Sequence, residues 1–224
     1  GFSTQAPYGK DIDQYENDPY RNTTVNLKAG YWINEHNRIE TGYHDVNALS
    51  SYDEYPLPNS SQHSDFRNRS GFLIYKYFLG NQAIETTLSQ STFSKKELNA
   101  VNSWELKDFQ GNVPSFEFKD TWKYNQTDTL VLGSSFEKRE IQYTKVAQNE
   151  QERQENSTAF YLNNTNKLNK LVLTEALRYD AFSAFENKLT GKLGVKYFLN
   201  EQLNIYTNYG TAYKAPSMLE MINP

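Results

Sequence analysis

The chain has 224 residues, of which 37% are hydrophobic and 15% aromatic, with 17 Tyr and 13 Phe against 2 Met. The formal net charge of -4 argues against a nucleic-acid partner, because neutralising phosphates requires a basic surface. Cysteine is absent, which excludes a disulfide framework, a thiolate metal site and a thiol nucleophile.

Period-two alternation is the dominant pattern, and it predicts strands that separate two unlike environments. From Thr24 to Ile33, apolar residues such as Val25 and Leu27 occupy one face and polar residues the other. The alternation recurs over 171–180, 188–197 and 202–209, with Glu175 as an exception on the apolar face. No run of 18 apolar residues exists, so a membrane could be crossed only by strands.

Short segments containing Asn, Gly or Asp predict five tight hairpin turns. These segments lie at 33–37, 79–82, 124–128, 164–170 and 199–202. Long polar segments between them predict loops at 48–66, 94–115 and 148–156, with a brief one at 183–188. Five hairpins give about ten antiparallel strands, with tight turns at one end and polar loops at the other.

Aromatic residues cluster beside the tight turns. The pairs are Tyr31 and Trp32, Tyr77 and Phe78, Trp122 and Tyr124, and Tyr197 and Phe198. Amphipathic rings of this kind form belts where a membrane meets water, although cross-strand aromatic pairs also occur in soluble sheets. Because the clusters repeat at the same end of successive hairpins, we predict an all-β, antiparallel, up-and-down transmembrane β-barrel without notable helices.

The final third carries motifs that resemble the mid-barrel region of TonB-dependent outer-membrane transporters. The matching residues are Leu177-Arg178-Tyr179-Asp180, Lys192-Leu193-Gly194, Asn208-Tyr209-Gly210 and Tyr213-Lys214-Ala215-Pro216-Ser217. The chain departs from the family pattern at Ala176 and Gly191, where Gly and Pro are usual. The resemblance implies that residues 1–224 are part of a 22-stranded barrel in a Gram-negative outer membrane, without the plug domain and the C-terminal strands.

This resemblance also implies a function and partners. The first third is similar to the cobalamin-transporting members of the family, so we expect high-affinity uptake of cobalamin or a similar metal chelate rather than enzymatic activity. An iron-siderophore or haem is the alternative ligand within the same family. The implied partners are TonB, acting through the plug region, and the lipid and lipopolysaccharide of the outer membrane.

Two acidic segments resemble the calcium-binding loops of the cobalamin transporters. The implied ligands are Glu16 and Asp18 in "YENDPYRN", Asp53 in "SSYDEYPLP" and Asp65 in "HSDFRN". A further family ligand falls near Ser3, where Asp11 or Asp13 could substitute. Calcium takes six to eight oxygen ligands, which two acidic loops can supply when drawn together. The alternative is that these carboxylates serve only solubility.

Tyr52 and Tyr55 flank the second acidic segment and could stack against a bound corrin or aromatic siderophore. The alternative is that they are ordinary loop aromatics. No pair of histidines has the close spacing of a helix-borne zinc site.

Two other classes of protein remain open. A complete ten-stranded outer-membrane protease of the omptin type would place catalytic His and Asp at loop ends, and His63-Ser64-Asp65 is the candidate. Its base would need a second group to orient it. A soluble adhesive or glycan-binding sheet would need no detergent.

Overall fold

The computed structural model describes residues 3–5, 17–54, 57–99, 107–145, 150–217 and 220. They form one antiparallel sheet of eleven strands arranged in chain order. The strands are β1 (Ser3–Gln5), β2 (Asn17–Trp32), β3 (Asn37–Glu54), β4 (Leu57–Leu79), β5 (Gln82–Asn99), β6 (Lys107–Trp122), β7 (Thr129–Lys145), β8 (Gln151–Leu168), β9 (Leu171–Phe182), β10 (Lys188–Phe198) and β11 (Asn204–Gly210). The predicted all-β meander is confirmed, with β1 added to the ten predicted strands.

The sheet is open within the described residues, because β1 and β11 stand at opposite ends of the strand order. Between residues 3 and 217, the described residues include no helix. No helix in the described part of the chain is long and apolar enough to cross a membrane.

All five predicted tight turns are confirmed. Two of them are two-residue turns, in which Gly80 and Asn169 adopt left-handed φ angles of 57°. Such turns match the twist of the flanking strands and favour Gly or Asn. In the longer turns, some backbone N–H groups have no partner in the neighbouring strand, and an Asn side chain accepts their hydrogen bonds instead. Asn34 Oδ1, for example, accepts hydrogen bonds from the backbone N–H groups of His36 and Asn37, each at 2.9 Å.

The predicted long loops are wrong in extent. β3 continues to Glu54 and β4 begins at Leu57, so most of segment 48–66 is strand. Likewise β5 continues to Asn99 and β6 begins at Lys107 within segment 94–115. Both faces of these extensions are largely polar, which removes the alternation from the sequence, yet the backbone ladder continues. β4 has 23 residues, about twice the 9 to 11 that cross a bilayer, so the wall extends beyond the membrane.

Candidate functional site

The two faces of the sheet differ sharply in chemistry. Register places one set of apolar side chains together near the tight turns, all at least 39% exposed. Members of this outer face include Leu73, Leu88, Phe116, Phe118, Leu132, Phe136, Phe160, Leu177, Tyr179 and Leu193. Exposure of so many large apolar side chains in one band is what a lipid-facing barrel surface requires.

The opposite, inner face carries a ladder of ion pairs across five strands. Glu40 of β3 accepts from Lys28 of β2 at 3.2 Å and from Lys76 of β4 at 3.1 Å. Lys76 also pairs with Glu85 of β5 at 3.2 Å, and Glu85 pairs with Lys119 of β6 at 2.6 Å. The inner wall is therefore charged and suited to contact with water or a polar occupant.

Aromatic rings on the inner face lie over glycines of the neighbouring strand. Phe72 lies over Gly42, Phe93 over Gly111 and Tyr161 over Gly133, and a Cβ atom at any of these glycines would overlap the ring. Each glycine is the register partner of its ring. This arrangement supports the ring on the neighbouring backbone and strengthens the pairing of the strands. The Tyr161 hydroxyl donates to Glu117 Oε1 at 2.7 Å.

The inner face forms a cavity of about 390 Å³ toward the long-loop end. Its lining includes Arg139, Arg178, Asp180 and Tyr213. Tyr213 belongs to the segment after β11, and its ring lies 5.6 Å from that of Phe182 on β9, so this segment covers part of the wall.

Glu155 is the most buried acidic residue of this region, with 1% of its surface exposed. Its Oε2 lies 3.3 Å from Arg139 Nη1, while Oε1 has no hydrogen-bond partner. Burial raises the pKa of the Glu155 carboxyl. Sequence patterns do not single out this carboxyl, because segment 148–156 has the composition of a polar loop.

Among the predicted metal ligands, only Asp65 has a described side chain. It lies on the outer face of β4, opposite Leu49 and beside Arg67. Asp18 and Asp53 lie near the ends of β2 and β3, with their backbones described but not their side chains, and Glu16 lies outside the described residues. No group of three or more His, Asp or Glu side chains suited to a metal occurs among the described ones.

The two predicted ligand-stacking tyrosines cannot be compared with each other, because Tyr55 lies outside the described residues. Tyr52 pairs in register with the buried Gln62 on the inner face of the sheet. Tyr52 and Asp65 therefore lie on opposite faces.

His63, the candidate base of a protease, shares the outer face with Asp65. Within the described part of the chain, no ion pair or hydrogen bond joins the His63 ring to a carboxylate. Among the side chains that the structure describes, none therefore orients His63 as a catalytic base.

Comparison with known proteins decides between the classes left open by the sequence. The sequence model of the family "TonB dependent receptor-like, beta-barrel" matches residues 1–224. The chain belongs to the TonB-dependent receptor family. Like the family, it is placed in the Gram-negative outer membrane, and the predicted fold class is confirmed.

Individual relatives agree with this assignment. The vitamin B12 transporter BtuB of Photobacterium profundum is 23% identical over 229 residues, covering 100% of this chain and 36% of the relative. A ferric enterobactin receptor (PfeA) mutant from Pseudomonas aeruginosa matches 96% of this chain and 36% of its own at a TM-score of 0.76 and 11% identity. The Serratia marcescens hemophore receptor HasR matches 93% of this chain and 38% of its own at a TM-score of 0.72 and 15% identity. The chain thus spans little more than a third of these proteins.

Proposed function

We propose that the chain forms part of the wall of an outer-membrane transporter that imports cobalamin or a related metal chelate, energised by TonB through the plug region of the full-length protein. The observation that carries the proposal is the pairing of a lipid-facing apolar band with a charged inner wall on the same strands. A conduit for a polar ligand needs such a wall, because polar groups cannot cross the hydrocarbon unaided.

Cobalamin is favoured as the ligand by the named relative that matches the whole chain. A ferric siderophore or haem is the second candidate, and it is supported by the names of the ferric enterobactin and hemophore receptors with the same fold. These relatives are 11% to 23% identical to the chain and share its fold, so the ligand is identified by measuring uptake.

The experiment is uptake of labelled ligands by a Gram-negative host that lacks its own cobalamin and siderophore receptors. The full-length protein that contains this chain is expressed in that host with and without functional TonB. We expect labelled cobalamin to accumulate only when TonB is active. Accumulation of a ferric catecholate or haem instead would assign the second candidate, and TonB-independent accumulation of either would refute the proposal.

We also propose that calcium binds at the loop ends of β2 to β4, with Glu16, Asp18, Asp53 and Asp65 as ligands. The support is that β2 and β3 pair along their length and bring Asp18 and Asp53 to the same end of the sheet. Asp65 is the ligand of the four whose side chain the structure describes, and it lies on the outer face beside Arg67. Tyr52 lies on the inner face near this end, where it could contact a ligand.

A further inference from the structure

The segment that follows β11 leaves the sheet and lies across its inner face. The strand ladder continues to Thr211, whose backbone N–H donates to a carbonyl of β10 at 2.9 Å. Beyond that residue, Tyr213 and Ala215 are half-buried and line the inner cavity of about 390 Å³, whereas Lys214 between them is exposed. We call residues 211–217 the strap.

The strap is held on the wall by side chains rather than by its backbone. Within the described part of the chain, no backbone hydrogen bond joins residues 212–217 to a strand. The centre of the Tyr213 ring lies 5.6 Å from that of Phe182 and 6.5 Å from that of Phe185. Lys188 Nζ lies 5.9 Å from the centre of the same ring. A segment held by so few contacts can leave the wall without unfolding the sheet.

Two polar atoms at this contact are buried without a hydrogen-bond partner. They are Oε1 of Glu155, a residue that is 1% exposed, and the hydroxyl oxygen of Tyr213. Burial raises the pKa of the Tyr213 hydroxyl, and the charge of the Glu155 carboxyl adds to that rise. The strap therefore brings Tyr213 close to an acidic group that the wall leaves incompletely paired.

Glu155 shares its cation with a second carboxylate. Arg139 Nη1 lies 3.3 Å from Glu155 Oε2, and Arg139 Nε pairs with Glu137 Oε1. One positive charge is thus divided between two carboxylates. Ionisation of Glu155 would leave one charged oxygen buried without a donor, which is costly, and burial accordingly raises the pKa of its carboxyl.

The other carboxylates near the strap have partners of their own. Asp180 accepts from Arg178 Nε at 2.9 Å, and Glu186 pairs with Lys188 at 2.8 Å. Among the carboxyls around the strap, Glu155 is therefore the one that is fully buried with an unpartnered oxygen. The charged and titratable side chains on the elements around it are Glu117 of β6, Glu137 and Arg139 of β7, Arg153 of β8, Arg178 and Asp180 of β9, Glu186 of the following turn, Lys188 of β10, and Tyr213 and Lys214 of the strap.

We propose that Glu155 is a proton-dependent switch for the strap, which lies on the wall while Glu155 carries its proton and leaves the wall when Glu155 ionises. Release of the strap admits water to the carboxylate and so removes the cost of burying its charge. The released strap opens the cavity, with Arg139 and Arg178, to the lumen. The inference is independent of which ligand is transported.

The direction of the switch follows from the burial of Glu155. A carboxyl whose pKa is higher in the docked state holds its proton more tightly in that state, so acid favours docking. Docking is complete below the ordinary carboxyl pKa and is lost as the pH rises through the raised value.

Spin labelling of the strap in the full-length protein tests the proposal. The label is attached at Lys214→Cys, because the Lys214 side chain is 83% exposed, and any cysteine elsewhere is replaced by serine. The spectrum distinguishes an immobile label on a docked strap from a mobile label on a released one. It is recorded from about pH 4, near the ordinary carboxyl pKa, to about pH 9.

Three variants of the labelled protein separate the roles of the residues. Glu155→Gln keeps the shape of the side chain and removes its titration. Glu186→Gln is the matched control, because it makes the same change in charge at a carboxylate that is 86% exposed beside the strap. Tyr213→Ala removes the ring that holds the strap on the wall.

In the labelled parent protein we expect the ratio of mobile to immobile label to rise with pH by up to about tenfold per unit, as for the release of one proton. The Glu186→Gln variant should show the same rise. The label should stay immobile throughout in Glu155→Gln and be mobile at every pH in Tyr213→Ala. A ratio that does not change with pH in the parent protein, or a rise that persists in Glu155→Gln, would overturn the proposal.

Discussion

The ring of Tyr161 on β8 lies over Gly133 of β7, and its hydroxyl reaches one strand further to Glu117 of β6. The ring and its hydrogen bond thus connect three strands of the inner wall. The contact depends on the absence of a Cβ atom at position 133.

Gly133→Ala should therefore destabilise the barrel. The new methyl group would overlap the ring, displace Tyr161 and break its 2.7 Å hydrogen bond to Glu117. We expect a loss of about 1 to 3 kcal/mol in the free energy of unfolding, measured in urea with the full-length protein in detergent. Gly71→Ala is the control, because the nearest atom to a Cβ there is 3.6 Å away. Equal stability of the two variants would show that the ring moves aside at no cost.

Glu40 is the centre of the inner ion-pair ladder, so Glu40→Gln should destabilise the wall more than removal of an outlying cation. Its side chain is 7% exposed and forms ion pairs with Lys28, Arg38 and Lys76, which would lose their shared anion. Lys28→Gln is the comparison, because that side chain is 66% exposed and its loss leaves Glu40 two partners. The midpoint of urea unfolding measures the difference. A larger shift for Lys28→Gln would contradict this ranking.

The turn before β7 should weaken in acid. Asp128 accepts from the backbone N–H of Lys167 at 2.6 Å and from Asn125 Nδ2 at 2.5 Å, and these bonds lower the pKa of the Asp128 carboxyl. A lowered pKa means that the stabilisation is complete above the ordinary carboxyl pKa and is lost as the pH falls through the folded value.

Hydrogen exchange at the Lys167 amide should therefore be slow at neutral pH and, after correction for the intrinsic rate, accelerate in strong acid. Asp128→Asn keeps the shape of the side chain but removes its titration. Its corrected exchange should be independent of pH across the same range. If exchange at the Lys167 amide still accelerated in acid in the Asp128→Asn variant, a group other than Asp128 would be responsible.

Calcium should protect the loop ends of β2 to β4 from protease. Replacing Asp53 and Asp65 together by Asn should abolish that protection, because both oxygen donors would lose their charge. Asp45→Asn is the control, since Asp45 lies on the same strand as Asp53 but is engaged by Arg67. Proteolysis of the full-length protein is followed with calcium and with chelator. Unchanged protection in the double variant would rule out these two ligands.

The parts of the fold that local chemistry determines were predictable. Asn34, Gly80 and Asn169 mark turns whose geometry these residues favour, and all of those turns form. Alternation located β2, β9, β10 and β11, each of which has one face toward lipid, and the tight turns implied the strands between them. The same reasoning failed over 48–66 and 94–115, because strands that extend beyond the membrane are wetted on both faces and show no alternation.

The pairing of aromatic rings with glycines could not be predicted for a related reason. Gly42 with Phe72, Gly111 with Phe93 and Gly133 with Tyr161 each pair across a hairpin of the long-loop end. Tight turns fix register directly, whereas register across these hairpins depends on how far the polar strands extend. Asp65 illustrates the consequence. The sequence predicts a loop at Asp65, and a loop does not determine the direction of its side chains. In the structure Asp65 belongs to β4, and the strand pairing places it on the face of the sheet opposite to Tyr52.

The central claim is that each strand separates lipid from a watery lumen, and site-directed spin labelling tests it most directly. The chain has no native cysteine, so single cysteines can be introduced into it, after any cysteine elsewhere in the full-length protein has been replaced by serine. Labels at Leu177 and Leu193, on the outer face, should be relaxed by oxygen, which concentrates in lipid. Labels at Thr190 and Lys192, on the inner face, should be relaxed by a water-soluble nickel chelate. Absence of this alternation in the reconstituted full-length protein would contradict the account.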